Sequence, residues 1–335
     1  RLADPACQTD PGTHWTELTA SAAWAGRTGA AGCVHDGEMW VLGGSPSARV
    51  NDVWHSPDGV NWTQATASAP WEARISHEVV SYNGRLWVIG GNGSTTALLD
   101  DIWSSEDGAS WTLEADPAPW GARNGSAVEV HDGLMWLAGG ETSINAYAND
   151  VWYSSDGVNW TQATADAGWA PRRLHELLSY DGKLWVFGGY DATTPYFNDV
   201  WSSSDGVTWT QVTASADWSA RTGAASFVYG NKMWLIGGND NADIWTSTDG
   251  ANWTEVLSPT PWEGRFYQLP FVLDCHIYLA GGARNSPDTR YNDVWVSTAA
   301  GAEGEGEGEG EGEGEGEGEG EGEGEGEGEG EGSSG

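Results

Sequence analysis

Six arginines, Arg27, Arg74, Arg123, Arg172, Arg221 and Arg265, each stand three residues after a tryptophan. A guanidinium is a permanent cation with a rigid fork of donors. Six of them around one ring would form a funnel for a carboxylate, a sulfated or uronic sugar, or an acidic peptide. An equally regular acidic set stands two residues before another tryptophan: Asp52, Asp101, Asp150, Asp199, Asp243 and Asp293. Six against six invites ion pairs with each guanidinium stacked on indole. The repetition is complete, which speaks for pairing, since functional sites usually break symmetry. Symmetry does break three and four residues after each arginine. The chain there reads His77-Glu78, His175-Glu176 and Gln268-Leu269, alternating with Ala30-Ala31, Ser126-Ala127 and Ala224-Ala225. A histidine beside a glutamate can serve as acid and base or enter a metal site. No third ligand of suitable type accompanies the two pairs, and a hydrated channel accounts for them as well. The expectation is therefore no catalytic residue, no metal and no cofactor. Were the chain an enzyme, His77, Glu78, His175 and Glu176 would act with the arginines on an acidic sugar, as an epimerase or lyase. There is no glycine-rich phosphate loop, His-Glu-x-x-His, Cys-x-x-Cys or nucleophile elbow.

The elements that must position these residues follow from a repeat. All 23 tryptophans fall into four columns. One precedes a Gly-Gly pair (Trp40, Trp87, Trp136, Trp185, Trp234, with Tyr278 in the sixth unit), and one follows Asn-Asp-Val or its variants (Trp54 to Trp295). One closes an Asp-Gly turn (Trp15 to Trp253), and one opens the Trp-x-x-Arg step (Trp24 to Trp262). A period of about 50 residues belongs to propeller blades. Within the second unit, HEVVSY alternates apolar and polar residues, Asn83-Gly84 supplies a tight turn, and LWVIGG returns. That is a hairpin, and a third and fourth strand follow on either side of Asp107-Gly108. The fold class is all-β: a six-bladed β-propeller with four antiparallel strands per blade. The sixth unit lacks its last strand, and Trp15 and its neighbours supply it, closing the ring from the N-terminus. Domain bounds are 1–300 for the propeller and 301–335 for a disordered Glu-Gly tail.

The Gly-Gly pairs, the Asp-Val-Trp strands, the turn-closing tryptophans and the arginines opening each first strand together resemble the kelch repeat, from position 15 to 298. The sequence departs from that pattern after the second-column tryptophan, where a tyrosine is usual and His55, Ser104, Tyr153, Ser202 and Thr246 stand. The run Ser-x-Asp-Gly-x-x-Trp, as in Ser56, Asp58, Gly59 and Trp62, is similar to a shortened Asp box of sialidase-type propellers. It implies blades and not sialidase chemistry. Galactose-oxidase-like kelch enzymes need a tyrosine and histidine copper set that does not map onto this chain.

The loops after the Gly-Gly pairs vary most, and propellers commonly bind through such a face. These loops offer Arg49, Leu98, Leu99, Tyr147, Tyr190, Tyr196, Phe197, Arg284, Arg290 and Tyr291, rich in the tyrosine and arginine that interfaces favour. A protein or glycan partner is expected there; a lectin with repeated sites between blades is a further alternative. Net charge is −36, and the fifteen glutamates from Glu303 to Glu331 leave −21 on the rest. Such a surface repels phosphates and anionic membranes, which argues against nucleic acid, and no apolar run approaches the ~20 residues of a membrane span. High acidity with two lysines fits an extracellular or cell-surface protein, and a start at Arg1 without methionine fits either a removed leader or a trimmed sequence. The tail has no apolar residue to bury and repels itself, so it reads as a flexible spacer. It is similar to the spacers that precede surface-sorting signals. Three cysteines allow one bridge: Cys275 takes a turn position and Cys7 precedes the closing strand, so a Cys7–Cys275 disulfide is expected, with Cys33 free.

Overall fold

The computed structural model describes residues 12–297. Six antiparallel sheets follow one another, all strands and no helix among the described residues. In blade one the strands Ala31–His35, Glu38–Leu42, Val53–Ser56 and Thr63–Thr66 run from the axis outward. Blades three, four and five repeat this order. Blade two adds a short strand, Arg74–Ile75, paired to the upper part of Arg85–Gly93. The inner hairpins turn as their sequence requires. Asn83 and Gly84 have φ of 50° and 73°, and Asp36 and Gly37 have 48° and 76°, the two left-handed residues of a two-residue loop. In each blade the register between third and fourth strands slips near the second-column tryptophan, as between Val53 and Trp54 or Val200 and Trp201. Such a bulge adds to the local twist.

Blade six closes the ring as its missing strand requires. Trp15–Thr19 pairs antiparallel with Thr289–Ser297, with Trp15 opposite Ser297 and Glu17 opposite Trp295. The closure extends to the turn. In blades one to five a serine hydroxyl accepts from the turn glycine, as Ser56 does from Gly59 at 2.9 Å. The turn-closing indole then donates to that glycine's carbonyl, as Trp62 does at 2.9 Å. In blade six the serine is Ser297 and the glycine is Gly12, joined at 2.6 Å across 285 residues, and Trp15 donates to Gly12 at 2.9 Å. One Asp-box turn is thus divided between the two ends of the described chain.

The core lies between blades. Each first-column ring packs on the Asp-box glycine of the next blade. A Cβ on Gly157 would come within 2.5 Å of Trp87, and one on Gly12 within 2.5 Å of Trp234; Gly108, Gly206 and Gly250 meet Trp40, Trp136 and Trp185 in the same way. These glycines serve a close approach as well as positive φ. In blade six Tyr278 replaces the indole, and the looser contact with Gly59 is filled by Val294 and Leu18. Third- and fourth-column tryptophans meet edge to face, as Trp24 and Trp62 do at 5.8 Å and 84°.

Cys33 is a free thiol in the inner strand of blade one, and burial pushes it up to about 12. The expected partner of Cys275, Cys7, lies outside the described residues, as does the Glu-Gly tail.

Candidate functional site

The arginine column is built into the blades rather than around the channel mouth. All six side chains are buried, none more than 3% exposed. Arg172 is representative: its Nη atoms reach Asp199 at 2.7 and 2.9 Å, Nη1 also reaches the Gly188 carbonyl at 3.0 Å, and Nε donates to Ala170 at 3.0 Å. Arg27–Asp52, Arg74–Asp101, Arg123–Asp150, Arg221–Asp243 and Arg265–Asp293 pair likewise at 2.6–2.8 Å. Each aspartate also accepts from the indole two residues on, as Asp199 does from Trp201 at 2.8 Å. The geometry is the ion pairing that complete repetition favours and not the anion funnel: an acidic partner sits within each blade, and each guanidinium is already paired with it. Five of the arginines stack over the fourth-column ring of their own step at 5.6–5.8 Å. The sixth, Arg265, lies over Tyr291 at 3.8 Å.

The axial channel holds a cavity of about 330 Å³, lined in part by Ser76, Glu78, Glu129, Leu174, Glu176 and Tyr267. Six residues ring one mouth, joined blade to blade by five backbone bonds: Ser76 N to Gly29 O at 3.0 Å, Gly125 N to Ser76 O at 2.9 Å, Leu174 N to Gly125 O at 2.7 Å, Gly223 N to Leu174 O at 3.3 Å, and Tyr267 N to Gly223 O at 2.8 Å. Every residue of this ring has positive φ. Glycine meets that demand in blades one, three and five. Ser76, Leu174 and Tyr267 meet it at φ of 51°, 51° and 56°, a conformation costly for bulky side chains and held by bonds on both sides of Ser76 and Leu174 and by the N–H of Tyr267. The Tyr267 hydroxyl approaches that of Ser76 at 3.4 Å.

Below the ring stand three carboxyls. Burial pushes Glu176 up to about 7, opposed by the Ser226 hydroxyl, which donates to it at 2.6 Å. Burial also pushes Glu129 up to about 7, opposed by the backbone N–H groups of Val130 and Ser179. Glu78 is raised well above the ordinary value, first by burial and then by the charge of Glu176. Glu129 was not among the sequence candidates. It stands six residues after Arg123, in a column otherwise filled by Cys33, Val80, Leu178, Phe227 and Phe271. A lone charge in an apolar column was the signal.

His77 and His175 do not form acid–base pairs with the adjacent glutamates. Both are nearly buried, and no ring nitrogen of either has a hydrogen-bond partner among the described residues. Burial, then Arg74 or Arg172, drives each down to about 3, leaving a neutral ring. The Leu42 carbonyl opposes this at His77 without making a well-aligned bond. The rings are wedges between blades: a Cβ on Gly43 or Gly139 of the preceding blade would lie 2.8 Å from His77 or His175. Gln268 fills the same place against Gly237. No group of three or more His, Cys, Asp or Glu suited to a metal ion occurs among the described residues.

The loop face divides into pinned and unpinned parts. Phe197 covers Arg172 at 4.0 Å, and Tyr291 covers Arg265 while donating to Glu263. Arg284 pairs with Glu263 at 3.2 Å. Arg290 reaches the Pro46 carbonyl at 2.6 Å and Asp288 at 3.6 Å, Arg49 reaches the Gly93 carbonyl, and Leu99 is buried. Arg49 and Arg290 thus tie their loops to a neighbouring blade, and the others tie theirs to their own blade. Over blades three and four the surface is different. Tyr147, Tyr190 and Tyr196 form a chain of edge-on contacts at 6.1 and 6.4 Å. Tyr196 is 45% exposed, and Ile144, at the tip of the long hairpin of blade three, is 90% exposed. Arg173 lies beneath, over Tyr190 at 4.8 Å, paired with Glu141 and bonded to Asn124 at 3.0 Å.

No curated protein matches the chain by sequence. The solved structure of YjhT shares its fold, with a TM-score of 0.67 at 14% identity, covering 83% of this chain and 95% of that one. No helix among the described residues is long and apolar enough to cross a membrane. The KLHDC2/KLHL20/DRC7 Kelch-repeats domain family matches residues 108–282, from the Asp-box turn of blade two to the Gly-Gly pair of blade six. With its paired arginines, Gly-Gly strands and six closed blades, the chain belongs to this Kelch-repeat family.

Proposed function

We propose that this is a non-catalytic binding scaffold, at the cell surface or secreted, that holds a protein partner on the loop face of blades three and four. One observation carries the reading: exposed Ile144 and Tyr196, joined by the half-buried Tyr147 and Tyr190, lie in loops whose neighbours are tied down by internal bonds. Tyrosine on a rigid support offers a large contact area with little side-chain entropy to lose. The channel gives a catalytic reading less support, because its two imidazoles are neutral wedges. The acidic composition and low lysine content favour export, with the Glu-Gly tail as spacer and a Cys7–Cys275 bridge stapling the last blade. A glycan is the second reading, since exposed tyrosines also stack on sugar rings.

The test compares wild type with the double variant Ile144→Ser/Tyr196→Ser, each immobilised and exposed both to a glycan array and to surface extract of the source cells. A partner kept by wild type and lost by the variant supports the reading. Retention of glycans alone replaces protein by sugar, and equal retention by both proteins refutes the face.

A further inference from the structure

Aromatic rings on the loop face fall into two groups. Three are already stacked with the protein's own arginines: Phe197 with Arg172 at 4.0 Å, Tyr291 with Arg265 at 3.8 Å, and Tyr190 with Arg173 at 4.8 Å. Among the described residues no cation lies over Tyr147 or Tyr196, although both join Tyr190 edge to face. The local chemistry is thus a set of ring faces suited to planar or compact cations, two of them unused.

Charge points the same way. Outside the tail the chain carries −21. The loop-face arginines are committed: Arg49 to Gly93, Arg173 to Glu141, Arg284 to Glu263, and Arg290 to Pro46 and Asp288. An acidic partner would meet no available donor fork here. A basic one meets Asp191, which follows Tyr190 and is fixed as an anion in its turn by Thr193, whose N–H and hydroxyl donate at 2.7 and 2.9 Å. Ile144 adds an apolar foothold beside the rings.

We propose that the face formed by Ile144, Tyr147, Tyr190 and Tyr196 receives a basic, extended polypeptide segment whose lysine or arginine side chains lie over Tyr147 and Tyr196. This rests on the binding face argued above and adds the chemistry of the partner. Opposite charge across the contact also raises the association rate and makes affinity fall with salt.

The full chain, immobilised, is used to select from a random peptide display library, and one selected peptide is then titrated by fluorescence anisotropy at about 50 and about 300 mM salt. Lysine- or arginine-rich sequences are expected, with binding weakened by salt. Affinity should fall about tenfold in Tyr147→Ala and in Tyr196→Ala and survive in Tyr196→Phe, which keeps the ring face. Circular dichroism confirms that the variants fold. Selected peptides that are neutral or acidic, or no peptide at all, overturn the proposal. If such non-basic peptides still lose affinity in the tyrosine variants, the binding face survives and only the charge assignment fails. Basic peptides that bind both alanine variants as tightly as wild type refute the face itself.

Discussion

Replacing Glu176 by glutamine should stabilise this protein at pH 8 and leave it unchanged at pH 4. Glu176 lines the channel, burial raises its carboxyl from 4.5 to about 7, and the Ser226 hydroxyl only partly offsets that. A carboxyl raised on folding binds its proton more tightly in the native state. Its contribution is therefore undiminished below the unfolded value and is lost as pH climbs from about 4.5 to about 7. The interval corresponds to about 3 kcal/mol. The residue is only partly shielded from solvent, and the cavity is wide enough for water, so screening brings the expected gain to about 1–3 kcal/mol. Glutamine keeps an acceptor for Ser226, which makes the change close to isosteric. Thermal unfolding followed by calorimetry from pH 4 to pH 8 is the assay. A rise of about 2–6 °C at pH 8 is expected in a domain of this size, converging with wild type at pH 4. Because the charge of Glu176 also raises Glu78, the gains in Glu78→Gln and Glu176→Gln should sum to more than the gain in the double variant. A gain that is equal at both pH values, or a loss at pH 8, would show that the carboxyls are solvated like surface groups.

Four other outcomes follow from the blade interior and the closure. Asp199→Asn leaves the Arg172 guanidinium buried without its counter-charge and should cost about 3–5 kcal/mol in urea unfolding, whereas Arg172→Met with Asp199→Leu should recover much of it. Trp15→Ala removes the ring that meets Trp262 at 4.8 Å and the indole bond to Gly12, and should cost about 3–5 kcal/mol while Glu17→Ala costs little, measured by the same unfolding. Cys33, with its thiol raised to about 12, should resist iodoacetamide in the native protein and react once unfolded, as mass mapping can show. The same map without reductant should find Cys7 and Cys275 joined; two alkylatable thiols there would refute the staple.

The architecture was legible because its causes are local and repeated. A left-handed turn needs Asn-Gly or Asp-Gly, an indole packed on a neighbouring blade needs glycine opposite, and both demands recur at fixed intervals in the chain. The divided Asp box was legible for the same reason: Trp15 had no serine of its own nearby, and Ser297 had no turn glycine after it. The side-chain environments were less legible. The complete repetition of arginine and aspartate favours their pairing, but the distances come only from the register within a blade, which brings Arg172 and Asp199, 27 residues apart, within 2.7 Å. Glu129 lies outside the His-Glu spacing because it stands two positions further along the strand than the glutamates of blades two and four.

The alternation of blades has a packing cause that bears on where function resides. His77, His175 and Gln268 fill the space beside Gly43, Gly139 and Gly237 of the preceding blade, while Ala30, Ser126 and Ala224 do not reach the corresponding Gly281, Gly90 and Gly188, which meet the Trp24 ring or backbone carbonyls instead. In the same blades Ser76, Leu174 and Tyr267 replace the glycines of the axial ring. Both substitutions recur in every second blade, so the departure from six-fold symmetry is itself periodic, with a period of two blades. A periodic departure is what packing around a closed ring produces when large and small side chains alternate at successive interfaces. It therefore weighs against reading the His-Glu pairs as chemistry. Besides Glu129 in the channel, a departure that follows no period is on the loops of blades three and four. There Tyr147, Tyr190, Tyr196 and Ile144 have no counterpart in the other blades, and a sequence shaped only by the ring would have no reason to leave Ile144 and Tyr196 exposed.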